Sequence, residues 1–215
     1  MWQHWTLRLR YFLSQKIVRF SGFQIFGGRG RRGLLLCIMK NALKIDYSIT
    51  AMRVWQTVPD DVIAEVIHKK LYVNDPPTTY HTDASMRISA FLFDYVEKNK
   101  LGSVHCAPGV FLTEGKQVVM PDIVFVSKDS KAVVTRKGIH GPPDLLIEIL
   151  SPSTRRRDLT IKKGLYEEAG VKEYWLVDPE TRNTRGYFLE DKEYGEPLLL
   201  DSEVYIKILN KSIKF

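Results

Sequence analysis

The chain has 215 residues, of which 44% are apolar and 27% are charged. This balance is typical of a folded globular domain and excludes fibrous and disordered classes. The two cysteines, Cys37 and Cys106, are too few for a disulfide framework or a cysteine-based zinc site. The longest apolar run, near 34–39, is far shorter than the roughly 18 to 20 residues of a membrane span. We therefore expect a cytoplasmic protein with no membrane span.

The formal net charge of +7 is confined to the first 50 residues, which carry nine basic side chains and one acid. The remaining residues hold 23 basic and 24 acidic side chains. Three interpretations of residues 1–50 remain open: an amphipathic helix on an anionic surface, a nucleic-acid-binding arm, or a weakly structured extension. We favour a basic, weakly structured extension, followed by one domain over 51–215.

The body of the chain begins with a predicted hairpin and a helix. Residues 62–73 are rich in Val and Ile, and the polar residues 68–70 in their middle predict a turn. Over 83–100, apolar residues recur at helical spacing, with Asp83 or Ser85 as the expected cap. The predicted buried face consists of Ile88, Phe91, Leu92, Tyr95 and Val96.

Three further strands and a second helix follow. The runs 103–113 and 117–126 read as a hairpin, although Pro121 within the second run favours an edge, an end or a bulge. Residues 144–150 and 173–178 are apolar enough for buried strands. Between them lies a predicted helix that ends at Gly170, with Ile161 and Leu165 on its buried side. The order of elements predicts one α/β domain with a mixed sheet.

Two acids stand out because they lie inside apolar strand sequence. An ionised Asp122 or Glu148 facing a dry core is strongly disfavoured unless it is paired or bound to metal. If both acids face one cleft, they can bind a divalent cation such as Mg²⁺ through oxygen. Carboxylates at strand ends that are solvated or bonded to backbone amides are an equally good interpretation of the pattern.

A lysine on the second helix is the third candidate. Lys162 lies about 100° from Ile161, at the margin of the predicted buried face. The competing interpretation is a surface pair with Asp158, worth about 0.3 to 0.5 kcal/mol. Lys163 leaves the assignment ambiguous by one residue.

Three segments make the chain resemble the Uma-type family of restriction-type endonucleases, part of the PD-(D/E)XK nuclease superfamily. They are PDIVFV at 121–126, PDLLIEILSPSTRRRD at 143–158 and AGVKEYWLVDP at 169–179. The resemblance covers roughly residues 60–190. It implies a restriction-endonuclease-like core of helix, three strands, helix and strand, preceded by an N-terminal hairpin.

The resemblance also implies roles for particular residues. Asp122 and Glu148 would bind the metal together with the main-chain carbonyl of Ile149. Leu150 occupies the position where the superfamily motif expects a lysine, and the family places that basic residue on the following helix, at Lys162.

Two N-terminal residues complete the implied catalytic set. Glu65 matches an acid of the family's hairpin, and His81 matches a histidine just before the first helix. The family's Asp-Gly type of turn is replaced here by residues 68–70. Arg155, Arg156 and Arg157 would contact flanking phosphates, although a solvated turn is an equally good interpretation.

The function expected from these residues is a Mg²⁺-dependent DNA endonuclease, with Mn²⁺ as a substitute metal and a homodimer as the expected assembly. The alternative is a non-catalytic nucleic-acid-binding or regulatory module on the same fold. The feature that separates them is whether Asp122, Glu148 and Lys162 converge.

Overall fold

The computed structural model describes residues 43–44, 51–56, 58 and 62–215. The predictions for residues 1–50 therefore fall outside the described residues. Of this segment, only the short strand Leu43–Lys44 is described. The chain divides into two compact units. The first runs to Asp75 and includes Thr113–Val119, and the second consists of Pro76–Leu112 and Met120–Phe215.

The strands described are β1 Leu43–Lys44, β2 Ala64–Ile67, β3 Lys70–Val73, β4 Gly102–Cys106, β5 Val110–Leu112, β6 Gln117–Val119, β7 Ile123–Ser127, β8 Val133–Thr135, β9 Gly138–His140, β10 Leu145–Ile149, β11 Glu173–Val177, β12 Asn183–Glu190, β13 Glu193–Tyr194, β14 Leu198–Asp201, β15 Glu203–Ile206 and β16 Lys211–Lys214. The helices are α1 Ala51–Trp55, α2 Thr79–Lys98, α3 Arg155–Arg157 and α4 Lys163–Ala169, and a π-helical turn, Asp158–Lys162, joins α3 to α4. None of the helices in the described part of the chain is long and apolar enough to cross a membrane.

The first unit contains the predicted hairpin. Strands β2 and β3 pair antiparallel, and the turn between them places His68 and Lys69 at φ 47° and 61°. Positive φ at both central residues is what a two-residue type I′ turn requires, and here non-glycine residues adopt it. In this unit β3 lies between β1 and β2, and β2 also pairs with β6.

The second unit is built on a mixed sheet in the order β13-β12-β11-β10-β7-β4, with β14 also paired to β12. Strands β10 and β11 are parallel, whereas β7 is antiparallel to both β10 and β4. The predicted order of helix, three strands, helix and strand is present as α2, β4, β7, β10, α3–α4 and β11. The predicted α/β class is confirmed.

The antiparallel pairing predicted over 103–126 is confirmed where β4 pairs with β7, with Gly102 opposite Ser127. The prediction of two continuous strands is wrong, because each of them is broken in two. Pro121 lies at the second break, where a residue without an N–H cannot continue the ladder. The pieces β5 and β6 belong to the second and first units, respectively.

Alternate side chains of the central strands face two different layers. Ile123, Ile147 and Trp175 lie in one core with Ile88 and Leu92 of α2. The other face carries Leu146, Glu148 and Tyr174, which are also buried. Because strand side chains alternate, Glu148 cannot share the α2 core with its neighbours in sequence.

Helix α2 begins earlier than predicted. Its N-cap is Thr78, whose Oγ1 accepts a hydrogen bond from the backbone N–H of His81 at 3.3 Å, and not Asp83 or Ser85. His81 therefore lies in the first helical turn and not before the helix. The buried face includes Ile88, but Phe91 is 42% exposed, so the predicted apolar face was too wide.

The second helix ends at Gly170 as predicted, where φ is 87°. Its middle is the π-turn Asp158–Lys162, which adds a residue to one turn and rotates the rest of the helix. Ile161 is 36% exposed and Lys162 is 2% exposed. The prediction of a buried Ile161 is therefore wrong, because it assumed an unbroken α-helical period.

Candidate active site

Asp122 lies immediately before β7 and is bonded to the next strand of the sheet. Its Oδ2 accepts a hydrogen bond from the backbone N–H of Ile149 at 2.7 Å. The register pairs Ile123 with Ile147, and one further position sets Asp122 opposite Glu148. The strand pairing thus brings the two predicted acids to the same end of β7 and β10.

Glu148 is the centre of a buried polar cluster. Its Oε1 accepts hydrogen bonds from Lys162 Nζ at 2.8 Å and from the Tyr166 hydroxyl at 2.7 Å. Lys162 Nζ also lies 3.3 Å from Oδ1 of Asp158. All four side chains are buried, so these contacts are made where water does not screen them.

The structure separates the two adjacent lysines. Lys162 meets Glu148, whereas Lys163 extends over the rings of Tyr187 and Tyr194, 5.0 and 5.8 Å from their centroids. The π-turn is the local reason, because it places Lys162 on the sheet side and Lys163 at the margin of the helix.

His81 reaches Asp122 from the first turn of α2. Its Nε2 lies 3.2 Å from Asp122 Oδ2. Burial alone would lower the pKa of His81, but the hydrogen bond and charge of Asp122, the charge of Asp158 and the backbone of Ile149 outweigh burial and raise it. The Nδ1 atom of His81 is buried and has no hydrogen-bond partner in the described part of the chain.

The cluster brings several charged groups together. The carboxylates of Asp122, Glu148 and Asp158 lie around the ammonium of Lys162 and the titratable imidazole of His81. The carboxylate oxygens of Asp122 and Glu148 are ligands of the hard type that Mg²⁺ prefers. Among the described residues, no group of three His, Cys, Asp or Glu side chains could hold a metal ion.

Glu65 belongs to the first unit. It lies on β2, is fully buried, and its Oε2 is 3.5 Å from the side-chain nitrogen of Asn74. Asn74, which follows β3, is therefore one partner of this carboxylate.

The three arginines differ in their surroundings. Arg155 forms a 2.7 Å ion pair with Asp178, and Arg156 is exposed. Arg157 is half-buried. Of the two exposed arginines, Arg155 is therefore engaged by a carboxylate.

The predicted pair of Lys162 with Asp158 is present but is buried and not on the surface. Tyr174 on β11 donates a hydrogen bond to the backbone carbonyl of Asp158 at 3.0 Å. Sequence reasoning gave no role to Tyr166, and its spacing of four residues after Lys162 is the signal that could have found it.

A family model matches residues 51–209 of this chain, and its description reads "Uma2: Putative restriction endonuclease". The chain belongs to the Uma2 family. The match includes all the candidate site residues, from Glu65 to Tyr166. The resemblance stated from the sequence is therefore confirmed. A search of curated proteins gave no match.

A solved structure supports the fold assignment of this Uma2 chain. The chain is similar to "a putative nuclease belonging to DUF820" from Anabaena variabilis, with a TM-score of 0.63 and 19% sequence identity. The similarity covers 75% of this chain and 91% of that one. At this identity the comparison establishes a shared fold.

Proposed function

We propose that this protein is a Mg²⁺-dependent endonuclease that hydrolyses phosphodiester bonds of DNA. The observation that carries the proposal is the buried contact of Lys162 with Glu148, beside the strand pairing that aligns Glu148 with Asp122. Membership of the Uma2 family, described as restriction endonucleases, supports the reaction class. A homodimer with one site per chain is the assembly that suits cleavage of two strands.

Asp122, Glu148 and the main-chain carbonyl of Ile149 are the groups that would hold the cation. Carboxylate and carbonyl oxygens are the ligands that Mg²⁺ prefers in proteins. A bound Mg²⁺ supplies charge neutralisation at the phosphate and lowers the pKa of water.

The protein's own side chains have separable tasks in this proposal. Lys162 donates a hydrogen bond to Glu148. Its ammonium would stabilise negative charge that develops on the phosphate. Asp158 and Tyr166 position Lys162 and Glu148 through their ion-pair and hydroxyl contacts. His81 orients Asp122 through the 3.2 Å contact and can carry a proton at Nε2.

The test is nicking of supercoiled plasmid in Mg²⁺ or Mn²⁺ by the wild type, Asp122→Asn and Glu148→Gln. Loss of either carboxylate is expected to reduce nicking by at least about 100-fold. Asp129→Asn is the matched control, because this exposed Asp follows the same strand β7 at its other end. Circular dichroism shows whether each variant is folded.

Two results would contradict the proposal: no nicking by the wild type with either metal, or equal nicking by the wild type and both acid variants. A parallel digestion of labelled RNA separates DNA from RNA as the substrate. Nicking of RNA alone would overturn the choice of DNA but retain phosphodiester cleavage.

A further inference from the structure

The second unit contains a cavity of about 600 Å³ that the candidate site does not use. One wall is the start of α2, with Tyr80, Asp83 and Arg87. The other wall is the turn between β11 and β12, with Glu180 and Arg182, and Phe215 also lines it.

This cavity lies at the same end of the sheet as the candidate site. The parallel pairing of β10 and β11 puts the carboxyl ends of both strands at one edge. Glu148 and Ile149 end β10, and the turn that carries Glu180 and Arg182 follows β11. On the other wall, Tyr80 is the chain neighbour of His81, which contacts Asp122. Ligands of open α/β sheets commonly bind outside this edge.

The charged groups of the cavity compensate one another. Arg87 Nε donates a hydrogen bond to Asp83 Oδ2 at 2.9 Å. That hydrogen bond, together with the charge of Arg182, lowers the pKa of Asp83. With Glu180 opposite, two guanidinium groups face two carboxylates, so the cavity offers little net attraction to a phosphate.

The same groups suit a planar neutral ligand with hydrogen-bonding edges. Tyr80 is 66% exposed and offers an aromatic face. Carboxylates accept from base amino groups, and guanidinium groups donate to base oxygen and ring nitrogen atoms. Nucleobases that leave a stack are typically held by aromatic side chains together with such edge contacts.

We propose that this cavity binds a nucleobase adjoining the scissile phosphate, turned out of the base stack onto Tyr80. The inference rests on the proposed nuclease function, since that function supplies the strand to which the base belongs. It makes the cavity a specificity-determining subsite, with the charged groups reading the edge of the base.

The experiment uses duplex oligonucleotides that carry 2-aminopurine at successive positions, bound to the full chain in EDTA so that no cleavage occurs. A base turned out of the stack gives a rise in 2-aminopurine fluorescence. Tyr80→Ala is expected to abolish that rise and to weaken binding by about 5- to 150-fold, the range for loss of one base–aromatic stack. Tyr80→Phe keeps the aromatic face and should retain both signals. Met86→Ala is the control, because Met86 is equally exposed on the same helix and does not line the cavity.

The outcomes separate this inference from the proposed function. Plasmid nicking by the wild type without a fluorescence rise at any position would overturn the base subsite and leave the nuclease proposal intact. A rise that depends on Tyr80, without nicking, would refute the nuclease and retain the cavity only as a site that binds an unstacked base. Equal binding and fluorescence for Tyr80→Ala and Met86→Ala would also overturn the subsite.

Discussion

At the scale of single residues, Lys162 joins two acids of the buried cluster around Glu148. Its ammonium contacts both Glu148 and Asp158, and all three residues are at most 3% exposed. Removing the partner of a buried charge is costly, because the remaining charges have neither water nor a counter-ion.

The first prediction is that Lys162→Met destabilises the protein by about 3–5 kcal/mol and abolishes nicking. Urea unfolding followed by circular dichroism measures the loss of stability. The matched control is Lys163→Met, which removes an ammonium from the rings of Tyr187 and Tyr194 and is expected to cost about 0.5–1 kcal/mol. Equal losses of unfolding free energy for the two variants would refute the assignment of Lys162 as the buried partner of Glu148.

At the scale of elements, the C-terminal hairpin is tied to the sheet by a buried acid. Glu173, at the start of β11, accepts hydrogen bonds from the backbone N–H groups of Lys207 and Ile208. These residues begin the turn that joins β15 to β16, whose Val204 and Ile213 lie in the α2 core. Burial raises the pKa of Glu173 to about 7, although both backbone hydrogen bonds oppose the rise.

The second prediction concerns the pH dependence of stability. The folded chain keeps a proton on Glu173 that the unfolded chain releases near pH 4.5, so the unfolding free energy should fall as the pH rises from about 4.5 to 7. The expected contribution is on the order of 1–3 kcal/mol. Glu173→Gln should remove this part of the slope in urea unfolding at a series of pH values. Glu168→Gln, at an exposed acid, controls for the loss of one carboxylate. An unchanged slope in Glu173→Gln would rule out Glu173 as its source.

The third prediction concerns α3, whose exposed Arg156 is expected to contact a phosphate. Arg156→Ala should weaken DNA binding to a similar degree for all sequences and reduce the slope of log affinity against log salt by about 1. Lys128→Ala removes one exposed cation at the opposite end of β7 from Asp122 and should leave the slope unchanged. Binding is measured by fluorescence anisotropy at several salt concentrations, and identical slopes for the two variants would contradict this role.

At the scale of the whole molecule, the question is whether the first unit takes part in the chemistry. Its buried Glu65 has the side-chain contact with Asn74, and the family resemblance implies a catalytic role.

The fourth prediction is that Glu65→Gln, which keeps the side-chain shape, lowers nicking by at least about 10-fold while DNA binding in EDTA stays within about 2-fold. Glu114→Gln, an exposed acid of the same unit, should leave nicking unchanged. Wild-type nicking by folded Glu65→Gln would assign Glu65 to the structure of its unit alone.

The class of fold, the central strands and the two acids within them are predicted from the residue pattern alone. Apolar runs of this length leave few alternatives to buried strands. Asp122 and Glu148 are conspicuous because burying an unpaired charge in such a strand is costly. The turn at His68 and Lys69 and the stop at Gly170 were also predictable, since both depend on local conformational preference.

Which side chains are in contact depends on the tertiary structure. The π-turn that selects Lys162 over Lys163 is not visible in an apolar period that fits an α-helix. The hydroxyl of Tyr166 on Glu148 and the cavity that joins Tyr80 to Arg182 both bring together residues distant in sequence. Local preference fixes the conformation of a segment, but the contacts between segments depend on how their buried surfaces pack, and that packing is a property of the folded chain.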